Sequence, residues 1–463
     1  MQFAATILLL LGVSMFVLSL YQAYKGTVDL LSLRNVFFVS FSVFQITSAL
    51  IAVLGHDWGD YPLTNPGRTV WVYVTLAVVF MVIFQVAYQW GPVVRRWAWR
   101  VPGENAAPNT AGLLVLALGV LGLGVLFKIV LVQVPVFGPL SDKMGSGLLA
   151  LAAGLAMWAW APRLFNPVVA AYAGGVILAA MLFSMLGNYG RRDLVSVMAT
   201  CAWAMYHGWW KHFGFSYAIK RFAIVGAAGA VMLGAWTSVR GTKSSAAEIV
   251  NALASTRLRE GLYDLAHGQF SANISMWLIE TRPEAYPYDT LHSIRYGGTM
   301  WVPRIVYPGK PDALGKVIPK QAKLRGKPDS FNVGPGVVGH VVNDNPWLAL
   351  WMYPIILGLA FRFADEAVRS RVYSPFIALP VATGLGELIG LARGELGLFA
   401  FNAFIAIVSS YLAMVVIRMV LGWFGWRPTF DAGEPDWFDE HNPLAPDDPT
   451  EAYADYGDDS RAA

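Results

Sequence analysis

The chain has 463 residues, of which 56% are hydrophobic and 14% charged, with a formal net charge of +4 and a mean hydropathy of +0.49. Soluble domains carry about 25% charged residues, so this composition excludes a conventional soluble enzyme, a disordered protein and a nucleic-acid binder. A single cysteine, Cys201, excludes an internal disulfide and a cysteine-based metal centre.

A bilayer core takes about 20 apolar residues per helix. Apolar stretches bounded by charges fall at 1–24, 35–55, 69–94, 105–127, 144–162, 164–190, 194–210, 222–239, 345–361, 372–392 and 396–417. The expected fold is all-α, a polytopic membrane protein of about 11 transmembrane helices with one large outer-face loop between spans 8 and 9. Residues 1–239 supply spans 1–8, 240–344 the loop, 345–427 spans 9–11, and 428–463 an acidic tail. The first segment lacks a basic n-region, so it reads as a permanent anchor. Segment 194–210 is short and holds His207, and segment 372–392 holds Glu387.

Orientation follows from the positive-inside bias. An N-terminus outside puts 14 Lys and Arg residues of the span ends and short loops in the cytoplasm, from Lys25 and Arg34 to Arg418 and Arg427. It leaves six outside: Arg68, Lys128, Lys143, Arg191, Arg192 and Arg393. The long loop, the Arg191–Arg192 pair and Arg393 then share the outer face. The tail holds 11 of the 30 acidic residues and one basic residue, and reads as a disordered extension. The remaining 427 residues carry 33 basic against 19 acidic, which suits anionic lipid or an anionic lipid-linked substrate.

Within the loop, Ser245 to Thr281 has apolar residues at helical spacing, broken at Gly261 and Gly268. The pattern fits an amphipathic helix on the membrane surface and a small packed loop domain equally. From Tyr296 to Pro311 glycine, proline and aromatics dominate, and no regular helix is expected. Arg295, Arg304 and Lys310 stand on this stiff segment, where an arginine fork and a lysine point charge suit a diphosphate. Trp301 and Tyr307 suit either stacking on sugar rings or anchoring at the headgroup level. The bland alternative is an interfacial loop whose cations touch only lipid phosphates.

The run Trp301-Val-Pro-Arg304-Ile-Val-Tyr-Pro308-Gly-Lys310-Pro311 resembles the I-P-R-x-x-W-P-x-K-P signature of bacterial oligosaccharide repeat-unit polymerases, the Wzy-like O-antigen and exopolysaccharide polymerases. Trp277 to Tyr286, followed by Tyr296-Gly-Gly, is similar to that family's lead-in. Gly334-Pro-Gly-Val-Val-Gly339-His340 is similar to its passage into the next span, with His340 where the family has glutamate. Gly187-Asn-Tyr-Gly190-Arg191-Arg192 looks like its G-x-R at a span end, and Arg393-Gly394-Glu395 like its R-G-D/E between the last two spans. The likeness touches 187–420 and is specific in 286–311; the first five spans contribute topology alone. It implies a multi-pass protein of the bacterial cytoplasmic membrane that joins repeat units carried on undecaprenyl diphosphate at the outer face. It further implies a flippase and a chain-length regulator as partners. No cofactor and no metal is expected, which agrees with the absence of HExxH and P-loop motifs.

The reaction needs the charge of a leaving diphosphate stabilised and a base for the acceptor hydroxyl. The arginines chosen for the first task are Arg304, Arg191 and Arg393, with Arg192, Arg295 and Lys310 supporting them. Each has a bland alternative as a snorkelling interfacial cation. The base candidates are His340, then Glu387, Glu395 and His292. An R-x10-G spacing described for outer loops of such polymerases occurs at Arg257/Gly268, Arg304/Gly315 and Arg325/Gly336, in a glycine-rich chain where chance matches are common. Four rivals stay open: another polyprenyl-phosphate glycosyltransferase using Asp57 and Asp60, a glycan ligase, a lipid-linked oligosaccharide transporter, and a scaffold without chemistry.

Overall fold

The computed structural model describes residues 1–102, 109–134, 137–186, 191–239, 271–324, 331–371 and 374–423, and among these every regular element is a helix. Eight helices are long and apolar enough to cross a membrane: α1 (Gln2–Tyr24), α2 (Leu33–Gly55), α3 (Pro66–Gln89), then α5 (Thr110–Gln133), α6 (Gly138–Arg163), α7 (Pro167–Ser184), α14 (Pro346–Arg369) and α17, whose span is Leu396–Val420. The chain is therefore a multi-pass membrane protein. Eight of the eleven expected spans coincide with these helices. The other three fall on α8 (Arg191–Gly208), α9 (Phe215–Val239) and the pair α15 (Pro375–Thr383) and α16 (Leu385–Leu391), none of which is among the eight. The expected helix before residue 271, the Arg257/Gly268 match, Arg325 and the acidic tail lie outside the described residues.

Helix starts follow local chemistry. Asn65, Asn109 and Asn166 each accept a backbone N–H of the next turn, and Pro66 and Pro167 supply a first-turn φ that needs no donor. Two boundaries differ from expectation. The stretch 69–94 breaks at Trp90, because Pro92 opens a separate helix, α4 (Gly91–Ala98). The stretch 372–392 divides at Gly384, after Pro380 inside α15.

α6 is the central helix, with 83% of its most apolar window buried against 28% for α1, α5 and α7. Small residues set its contacts. A Cβ on Gly147 would come 3.0 Å from Ala406 Cα of α17, and one on Gly154 would come 2.7 Å from Thr200 of α8. Helices in lipid associate through such close backbone approach.

The segment 271–344 is not a separate unit. It folds as α10 (Ser271–Thr281), α11 (His292–Thr299), α12 (Leu314–Gln321) and α13 (Gly336–Asn343) over one end of the bundle. Ser271 to Leu278 are all buried, so α10 does not lie on a membrane surface as an amphipathic helix would. Its packing core joins Ile274, Trp277 and Leu278 to Tyr61 of the turn between α2 and α3, Leu314, Ile318 and Val342. Glu280 caps α3 by accepting from Thr64 N (2.7 Å), Asn65 N (2.7 Å) and Thr69 Oγ (2.8 Å). Gly336 has φ +68, and a Cβ there would sit 2.1 Å from Gln45 Nε2, so the turn into α13 needs glycine on both counts. The expectation of no helix from Tyr296 onward is corrected at its start: Tyr296 to Thr299 close α11, and irregular chain follows. The first proline, Pro303, comes too late to break that helix.

The two bundle ends hold separate polar contacts. At one, Asn273 donates to Asp57 O (3.2 Å), Gln45 to Ala392 O (2.7 Å) and Arg192 to Glu387 (3.2 Å). At the other, Lys211 pairs with Asp29 (2.7 Å), Asp365 accepts from Leu33 N (2.8 Å), and Arg371 donates to Trp99 O (3.2 Å). The first end carries the loop segment, Arg192, Glu387 and Arg393; the second carries Arg34, Arg362, Arg369 and Arg371.

Candidate functional site

The site begins where α16 meets α8. A Cβ on Gly386 would lie 2.5 Å from Arg192 O, so only glycine lets these backbones approach and sets Glu387 beside Arg192. Arg192 Nη1 donates to Glu387 Oε2 at 3.2 Å, and its guanidinium lies 4.7 Å over the Phe399 ring. Phe399 is fixed in turn: a Cβ on Gly390 or on Gly394 would come 2.1 Å from the ring. Arg192 is thus held on one edge and one face while 40% of its side chain stays exposed. That is how a protein presents a cation to an anionic ligand without letting it wander.

Beneath Arg192 lies a buried ionic network. Glu387 Oε1 accepts from Asn402 (3.2 Å) and lies 3.6 Å from Lys143 Nζ. Lys143 reaches Asp193 (3.2 Å) and Asp142 (3.7 Å). Lys128, in a π-helical turn of α5, binds Asp142 (2.5 Å), Asp193 (3.1 Å) and Ser146 (2.9 Å), with 1% of its side chain exposed. Three cations face three carboxylates. Sequence reasoning counted Lys128 and Lys143 only as span-end charges and passed over Asp142 and Asp193. The signal was present: Lys128 is an ionisable residue inside an otherwise apolar stretch, which calls for a partner.

The base candidates are occupied differently. His340 is fully buried. Leu396 N donates to its Nε2 (3.1 Å), so the proton of the neutral ring sits on Nδ1 and is donated to Ser293 Oγ (2.6 Å). Burial pushes its pKa down to about 4, against the opposing field of Glu395, which keeps it neutral. Glu395 accepts from Leu314 N (3.2 Å) and Gly315 N (3.0 Å), holding the start of α12, and stands 3.7 Å from His340 Nε2. His292 Nδ1 contacts Asp289 (2.7 Å), and its Nε2 is buried with no partner. Asp289 also takes the guanidinium of Arg295. His340 and Glu395 therefore pin α11, α12 and the start of α17 together, and neither is presented to an entering substrate. Glu387 is spent on Arg192, Lys143 and Asn402.

The signature loop is tied down by its own cations. Lys310 Nζ donates to Met300 O (2.5 Å) and Val302 O (3.1 Å), strapping the turn shut. Desolvation and the neighbouring Arg304 lower its pKa. Arg304 pairs with Asp312 (2.5 Å) and donates to Lys310 O (3.1 Å), with half its side chain exposed. Tyr296 on α11 lies between the elements: burial, then the charges of Glu395 and Asp312, push its phenol up to about 12, with Arg304 and Arg192 acting the other way. Arg304 and Arg192 are thus within electrostatic reach of one ring. Arg393 is half-buried, 5.5 Å over the Phe44 ring. Trp301 and Tyr307 are exposed. The Arg191 side chain lies outside the described residues, as does Gly187 to Gly190. Gly315, of the Arg304/Gly315 match, has a packing reason of its own, since a Cβ would lie 2.1 Å from Val333 O.

Among the described residues no three His, Cys, Asp or Glu side chains are grouped so as to hold a metal ion. At the opposite end a cavity of about 20 Å³ is lined by Asp29, Tyr88, His207, Arg362 and Asp365 among others, room for about one water.

No family model, curated protein or solved structure matches this chain. The chemistry open to the site is that of its side chains: half-exposed arginines over a neutralised ionic base. Such an arrangement can bind a phosphate or diphosphate and stabilise charge that grows on it.

Proposed function

We propose that the protein polymerises oligosaccharide repeat units carried on undecaprenyl diphosphate, as a glycosyltransferase at the outer face of a bacterial cytoplasmic membrane. The product is a surface polysaccharide, and the proposed topology has eleven spans with the loop segment outside. One observation carries the reading: Arg192, fixed by Glu387 and Phe399 yet 40% exposed on its side chain, stands at the bundle end that also holds Arg304 and Arg393. The anomeric carbon of the growing chain is attacked by a hydroxyl of the next repeat unit. Its bond to the diphosphate oxygen breaks, and the arginines take up the charge left on undecaprenyl diphosphate. The acceptor proton leaves with a base; His340 and Glu395 are already committed to Ser293, Leu396 N and the start of α12, which turns the choice toward His292, whose buried Nε2 has no partner.

Reconstitution with lipid-linked oligosaccharide tests this. The expected result is a ladder stepping by one repeat unit with release of polyprenyl diphosphate, both lost in Arg192→Ala. No covalent product from folded protein would sink it. The second reading, a transporter of the same lipid-linked substrate, draws on the helix broken at Gly384 beside a buried ionic network, features that transporters share. It predicts movement of substrate across vesicles without any ladder.

A further inference from the structure

Between α11 and α12 the chain ends in an apolar tip that points away from the protein. Ile305 is 95% exposed and Val306 71%, flanked by Trp301 at 46% and Tyr307 at 42%. The tip is built. Val306 N and Tyr307 N both donate to Pro303 O at 3.0 Å, Lys310 N donates to Tyr307 O at 3.2 Å, and the Lys310 amine straps Val302 O. A rigid turn holding isoleucine and valine outward would be unfavourable in water. The order of side chains has a meaning: aliphatic residues at the tip, aromatics beside them, and Arg304 and Lys310 at the neck. That is the layering of a segment seated in a bilayer interface.

The position agrees. α11 packs on the first turn of α17, where Cβ atoms on Gly297 and Gly397 would meet the opposing backbone at 2.8 Å and 2.1 Å. The tip therefore springs from the level at which a membrane-crossing helix ends. Ile294 on α11 and Phe404 on α17 are exposed too, so apolar surface occurs on both elements below the tip. Four side chains are far too few for a stable protein interface, which takes about 800 Å² from each partner.

We propose that Val302–Tyr307 is a membrane-seated wedge. Ile305 and Val306 enter the acyl boundary of the leaflet on this side, and Trp301 and Tyr307 lie at headgroup depth. The proposal does not rest on the polymerase reading.

The test uses full-length protein with its one cysteine removed, Cys201→Ser, in vesicles of phosphatidylethanolamine and phosphatidylglycerol. Spin labels are placed at Ile305→Cys and, separately, Val306→Cys. Phe404→Cys serves as the lipid-facing reference and Lys320→Cys, exposed on α12, as the aqueous one. All four sites are on the surface, and an unchanged size-exclusion profile confirms folding. At 305 and 306, collision with oxygen should exceed collision with a water-soluble nickel chelate several-fold, as at 404, with the reverse at 320. Labels at 305 and 306 that behave like the one at 320 overturn the proposal. Labels shielded from both reagents overturn it as well, in favour of a protein partner.

Discussion

His340 separates a structural role from a catalytic one, and its replacement can be worked through. His340→Ala strands the buried Leu396 N–H and takes one partner from the Ser293 hydroxyl, which keeps Tyr353. A stranded buried donor costs about 1–3 kcal/mol, and with the lost ring the sum is about 3–5 kcal/mol. At about 2 cal/mol/K per residue, a cooperative unit of 463 residues loses about 1 °C per kcal/mol, so the apparent melting temperature should fall by about 3–5 °C. Acid gives an independent handle. The folded pKa is about 4, below the ordinary 6.5, so the folded state holds the ring neutral while the unfolded chain takes up a proton. The contribution of His340 is therefore complete above pH 6.5, declines as pH falls from 6.5 to 4, and levels off below. The amplitude is about 3 kcal/mol. Thermal unfolding in nanodiscs, followed by tryptophan fluorescence from pH 4 to 8, reads both effects. His340→Gln keeps a donor and an acceptor, so it should recover part of the loss at pH 7 and flatten the acid-side slope relative to wild type. Equal melting temperatures for wild type and His340→Ala, or an unchanged slope in His340→Gln, would refute the reasoning. A loss of activity alone would then return His340 to the role of base.

Four further outcomes are expected. Lys128→Met takes from Asp142 and Asp193 the buried cation they share, a broken buried pairing worth about 3–5 kcal/mol, visible as a lower melting temperature and a lower yield of folded protein. Glu387→Gln removes the charge that anchors Arg192 and should cost about 1–3 kcal/mol together with a slower polymerisation rate; a normal rate would detach Arg192 from the chemistry. Glu280→Ala should cost about 1 kcal/mol at pH 7 as a lost helix cap. Backbone donors hold that carboxylate below its ordinary range, so the melting gap between wild type and variant should be present above pH 4.5 and close as pH falls through the folded pKa. Arg304→Ala and Asp312→Asn break the same exposed pair, worth about 0–1 kcal/mol, so neither should move the melting temperature measurably. Only the loss of Arg304 should slow ladder formation, and equal rates in the two variants would count against its contact with diphosphate.

Much of the helical layout was legible because membrane spans leave a coarse trace: some twenty apolar residues between charges. The eight strongest helices sit where that trace was clearest. The misplaced boundaries have local causes, Pro92 after Trp90 and Pro380 before Gly384, where proline chemistry overrides apolar continuity. The loop was harder. Ser271 to Thr281 has a two-sided pattern in sequence, yet Ser271 to Leu278 are buried all round, because Tyr61, Leu314 and Val342 come to them from remote positions. The site was legible in kind and not in pairing. Arg192, Glu387, Arg393 and Glu395 do come to one end of the bundle. That Glu395 holds α12, that His340 serves as a pin, and that Lys310 straps its own loop depend on partners up to 81 residues away, which no local spacing reveals.

The ionic network explains why the exposed arginines, and not the buried charges, set the field at this end. Lys128, Lys143 and Arg192 are matched by Asp142, Asp193 and Glu387, so the group is neutral as a whole. Its pairs are short and mostly shielded from water, and their fields cancel within a few ångströms. Only Arg192 reaches outward, and its pairing with Glu387 is a single contact at 3.2 Å that leaves a nitrogen edge for another acceptor. A diphosphate offers several such oxygens and needs no proton from the site. Binding one would add anionic charge beside Arg192 without breaking any pairing beneath it. The arrangement thus gains an anion contact at no loss to the buried network, whereas a cationic ligand would have to displace Arg192 from Glu387 first. The same six charges that make this end of the bundle rigid therefore also give it a preference for the sign of what it binds.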